Sequence, residues 1–128
     1  MPIDYHRDDS RRLITVTVTE PFSLDELLAL VDRQWTEGAW DHALLYDVRG
    51  TAHPASREGL ERLVDRVQIV GKGRRRGPIG VVIPPQPDRL RIALRLATLS
   101  GAAQNLEVLV TGEQLEDWLS RCAPRSEH

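Results

Sequence analysis

The sequence predicts a single α/β domain: a mostly parallel five-stranded sheet with a first antiparallel strand and four helices, in the order β-β-(αβ)3-α. Three observations predict it. The chain has 128 residues, the ordinary size of one domain, and its 41% hydrophobic and 28% charged content is globular rather than disordered. Near the start, a threonine-rich segment alternates apolar and polar residues with period two. After it, amphipathic segments of helical period alternate with short apolar runs, the pattern of βαβ units joined by right-handed crossovers.

The elements follow in order. Ile14, Val16 and Val18 alternate with Thr15, Thr17 and Thr19 inside Arg12–Glu20, which reads as a half-buried strand. Ile3–Arg7 pairs with it through the polar turn Asp8-Asp9-Ser10. Ser23 and Glu26 form a capping box, and Leu24, Leu27, Leu28, Val31 and Trp35 recur at helical spacing before Gly38. Ala43–Val48 is apolar on both faces until Asp47, so it belongs at the centre of the sheet. Ser56 is the expected N-cap of a second helix lined by Leu60, Leu63, Val64, Val67 and Val70.

The segment 71–78, GKGRRRGP, reads as a flexible basic loop, and Ile79–Ile83 as a buried strand cut by Pro84-Pro85. The third helix, from about Pro87 to Leu99, has an expected inner stripe of Leu90, Ala93, Leu94 and Ala97, widened by Ile92, Leu96 and Leu99. Leu106–Val110 is the fifth strand. Thr111 and Gln114 form a second capping box before a helix lined by Leu115, Trp118, Leu119 and Cys122. Residues 1–122 form one domain, and 123–128 a polar tail.

The totals exclude several function classes. A net charge of -2 gives no global attraction to nucleic acid or a membrane surface. The lone Cys122 cannot form an intrachain disulfide or a thiolate zinc site, which fits a reducing, cytoplasmic setting. The first ten residues lack an apolar signal core, and no apolar run approaches the ~20 residues of a membrane span. The histidines show no metal-ligand spacing, and neither a metal nor an organic cofactor is expected.

Candidate site residues gather where parallel sheets place ligands, beyond the carboxyl ends of the strands. Asp47, Arg49 and His53 follow the third strand, Pro84 and Pro85 the fourth, and Thr111 the fifth. Asp47, His53 and Ser56 have the residue types of a catalytic triad, but no nucleophile elbow surrounds Ser56, which stands where a helix needs a cap. No catalytic residue is assigned. Lys72, Arg74, Arg75 and Arg76 form a candidate anion-binding loop, whose alternative is a solvated charged turn. Arg91 and Arg95, one turn apart on the third helix, are a second candidate anion site or a solvent-facing stripe. Trp35, Trp40 and Trp118 suit core packing. The threonine face can be solvated, covered by a helix or paired in a homodimer.

Three segments resemble the SpoIIAA-like, or STAS-like, family of small bacterial proteins. Leu45-Tyr46-Asp47-Val48-Arg49-Gly50 resembles its strand ending in Asp-x-Arg-Gly, Ala93-Leu94-Arg95-Leu96 a stretch of its third helix, and Leu115-Glu116-Asp117-Trp118-Leu119 its closing helix. The resemblance spans nearly the whole chain and implies a staircase of βα units. It also implies a non-enzymatic regulatory or protein-interaction module, similar to anti-sigma-factor antagonists, with a kinase or anti-sigma-factor-like partner and a phosphorylated serine at the position of Ser56. The local sequence, Pro54-Ala55-Ser56-Arg57-Glu58-Gly59, lacks the family's Asp-Ser-Ser-Gly signature. Lipid-binding Sec14 domains share a related architecture. The alternative expectation is therefore a carrier of small molecules or lipids, with an apolar tail between helices and an anionic head held by Arg49, Arg95 or the Lys72–Arg76 loop.

Overall fold

The computed structural model describes residues 3–51, 56–72, 74–100 and 106–124. The strands are β1 (Ile3–Asp8), β2 (Leu13–Thr19), β3 (Ala43–Gly50), β4 (Ile79–Val82) and β5 (Leu106–Leu109). The helices are α1 (Leu24–Thr36), α2 (Arg57–Gly71), α3 (Pro87–Ser100) and α4 (Gly112–Cys122). Both expected capping boxes form: Ser23 and Glu26 cap each other's backbone amides at α1, and Thr111 and Gln114 do so at α4.

The sheet order is β1-β2-β3-β4-β5. β1 runs antiparallel to β2, and β2 through β5 are parallel. Each crossover therefore advances one strand in the same direction. Crossovers of one hand then stack α1, α2 and α3 on a single face. Leu30 and Ala93 accordingly pack with Ile14, Val16, Leu44, Ile79 and Val81 on that face. α4 connects no further strand and turns to the other face, where fully buried Trp118 packs with Leu13, Leu45, Val82 and Leu109. Gly80 makes room for it, since a Cβ there would lie 2.9 Å from the Trp118 ring. β4 is buried along its whole length because both faces are covered.

Two expectations need correction. In α3 only part of the expected inner stripe faces inward: Ala93 is buried, but Leu90 is 39% and Leu94 52% exposed, whereas Arg89, which was not in the stripe, is only 6% exposed. Apolar side chains cover most of this helix's circumference, so no single stripe defines its rotation. The basic segment is also not a uniformly solvated turn. The Trp40 indole donates to the Arg74 carbonyl at 3.1 Å, and the Gly77 amide donates to the Trp40 carbonyl at 2.9 Å. Arg76 turns inward under this clasp and is 4% exposed.

Candidate functional site

The parallel arrangement brings the carboxyl ends of β2, β3, β4 and β5 to one edge, where α1 to α4 begin. α3 starts there, so Arg89 occupies its first turn, and Thr51 stands just beyond the end of β3. Between the helical layer and the sheet lies a cavity of about 110 Å³. Val64 and Val67 of α2, Ile92 and Ala93 of α3, and Tyr46 and Val81 of the sheet contribute to its wall. Its volume is several times the ~10–15 Å³ that one water requires, and its wall is overwhelmingly apolar.

Two arginines, Arg76 and Arg89, are among the lining residues. Arg89 donates to the Thr51 hydroxyl at 2.8 Å and to the Thr51 carbonyl. Arg76 donates through Nε to Gln34 Oε1 at 2.7 Å and through Nη2 to the Tyr46 hydroxyl at 3.4 Å, with its carbon 5.2 Å from the Trp40 ring. Gln34, wholly buried in α1, completes its own bonding by donating to the Ala39 carbonyl at 2.9 Å. Arg76 precedes β4 and marks the amino edge of the sheet, while Arg89 marks the carboxyl edge. No aspartate or glutamate lines the cavity among the described residues.

The residues singled out from sequence are mostly elsewhere. Asp47 and Arg49 form a local two-point pair, at 3.0 and 2.8 Å, on the rim. Hydrogen bonding from Arg49 holds the Asp47 carboxyl below its ordinary value, opposed by partial burial. Ser56 is exposed, and its hydroxyl accepts the Gly59 amide at 3.0 Å as the N-cap of α2. It borders a depression of about 330 Å³ with Phe22, Leu24 and Arg62. His53 lies outside the described residues. Lys72 is the left-handed C-cap of α2, and Arg74 pairs with Asp41 at 3.0 Å. Arg75 is exposed, so of this basic loop's described cations only Arg76 reaches the cavity. Arg91 pairs with Asp88 at 2.6 Å on the surface, and Arg95 is exposed.

Sequence reasoning missed Arg89, Thr51 and Gln34. For Arg89 one signal was present: a cation in the first turn of a helix, where the backbone's partial positive charge disfavours it. Among the described residues, no group of three or more histidine, cysteine, aspartate or glutamate side chains could hold a metal ion, and no helix is long and apolar enough to cross a membrane. Comparison of the chain with protein-family models, curated proteins and solved structures finds no match in any of the three.

Proposed function

We propose that this domain is a non-enzymatic binding module whose ligand is a small, largely apolar molecule held between α2, α3 and the sheet. The observation that carries the reading is the cavity itself. Closely packed interiors rarely leave spaces larger than a water, so an apolar space of this size, bounded by residues from several elements, supports a binding role. The carrier alternative is thus preferred, with the proposed tail between the helices and the sheet and with Arg89, which was not among the expected head-group residues, beside Arg76 of the basic loop on the wall.

Native mass spectrometry of freshly purified protein, followed by thermal shift with apolar ligands, tests this reading. A retained ligand, or a rise in Tm that a cavity-filling substitution removes, is the expected result. A clean ligand-free mass with no shift from any apolar ligand contradicts it.

A second reading, a protein-interaction module of the STAS-like kind, draws on the exposed position of Ser56 beside the Phe22–Arg62 depression. Phe22 and Leu27 border both this depression and the cavity, so a partner docked there would sense the ligand. Intact-mass analysis of protein from its native host tests the switch. A phosphate on Ser56 supports it. Its persistent absence, with Ser56→Ala costing only the ~1 kcal/mol of a lost cap, leaves Ser56 as a cap alone.

A further inference from the structure

Resting on the cavity reading above, we infer that the ligand is an amphipathic carboxylate, with its carboxylate held by Arg89 at the carboxyl edge of the sheet and its apolar chain running into the cavity.

Arg89 is only 6% exposed, and a guanidinium cannot shed its charge by losing a proton. Thr51 engages it through two neutral oxygens, which leaves three of its five N–H donors beyond those two bonds. Among the described residues no carboxylate pairs with it. The acidic neighbour Asp88 points to the surface and binds Arg91 instead. Buried charges in proteins are ordinarily paired, because their lost hydration must be replaced.

One further feature raises the demand for an anion: the first turn of α3 adds its own partial positive charge beside Arg89. The planar fork of Arg89 matches the two oxygens of a carboxylate, and Thr51 fixes its orientation before any ligand arrives. The apolar wall then selects a hydrocarbon body over a hydrophilic acid.

Calorimetric titration with octanoate and with octanol tests the head-group assignment separately from the cavity. Octanoate is expected to bind roughly tenfold or more tighter than octanol, the worth of one or two charge-assisted hydrogen bonds. Arg89→Met, which keeps an apolar stem, is expected to erase that preference while octanol still binds. Arg89→Lys keeps the charge without the fork and is expected to retain part of it. Equal affinity for the two compounds in the unaltered protein overturns the carboxylate inference alone, and needs no variant to fold. So does a preference that survives in Arg89→Met. Binding of neither compound overturns the cavity reading and this inference together.

Discussion

Substituting Ala93 by leucine separates a true cavity from a packed core, because the two predict stability changes of opposite sign. Ala93 is 5% exposed on the inner face of α3 and forms part of the cavity wall. Leucine adds three carbons. Buried in empty space they contribute about 0.8 kcal/mol each, or about 2.4 kcal/mol, against a side-chain ordering cost of about 0.5–1 kcal/mol. The net expectation is a gain of about 1.5 kcal/mol, on the order of 6 °C in Tm for a domain of this size. In a filled core the same addition would cost about 1–3 kcal/mol. Urea titration gives the sign directly, and octanol titration of the same variant should show weakened binding. A loss of stability above about 1 kcal/mol, or unchanged octanol affinity, would refute the claim that this space is empty and used.

Three other expectations follow from particular contacts. Gly80→Ala, on the opposite face, should destabilise by about 1–3 kcal/mol in urea titration, since its Cβ would meet the immobile Trp118 ring at 2.9 Å. It should leave octanol affinity unchanged. Gln34→Leu removes the acceptor for Arg76 Nε and the donor to the Ala39 carbonyl, both in the interior, and should cost about 3 kcal/mol or more. Tyr5, whose hydroxyl donates to Glu37, has its pKa pushed up to about 12, first by burial and then by the Glu37 charge. Its raised value favours the folded state below the ordinary phenol pKa, near 10, and that contribution is lost as pH climbs from there through 12. The pH dependence of stability in this window should therefore flatten in Tyr5→Phe, and an unchanged slope would contradict the assignment.

The fold was legible because its signals are local. Capping residues stand three positions apart, strand alternation repeats every second residue, and the crossovers have one hand, so element order and sheet class follow from short stretches. The site was not legible because its determinants lie far apart in the chain. Arg76 is one of three consecutive arginines, and what turns it inward is Gln34, forty-two residues earlier, together with Trp40. Arg89 lies thirty-eight residues from Thr51, and its burial depends on how α3 rotates against the sheet. A helix with leucines on two flanks leaves that rotation undetermined by pattern. Thr51 and Arg89 stand at the same carboxyl edge as Asp47 and Arg49. The monotonic strand order has no reversal to open a crevice above that edge, and the cavity lies beneath the helices instead.

The central claim is that buried Arg89 faces a space made for an amphipathic acid, and a crystal structure of the protein grown with octanoate tests it most directly. The account predicts the carboxylate within hydrogen-bonding distance of the Arg89 guanidinium and the chain lying among Val64, Ala93 and Val81. Octanoate bound only at the surface, with water or repacked side chains filling the interior, would contradict it.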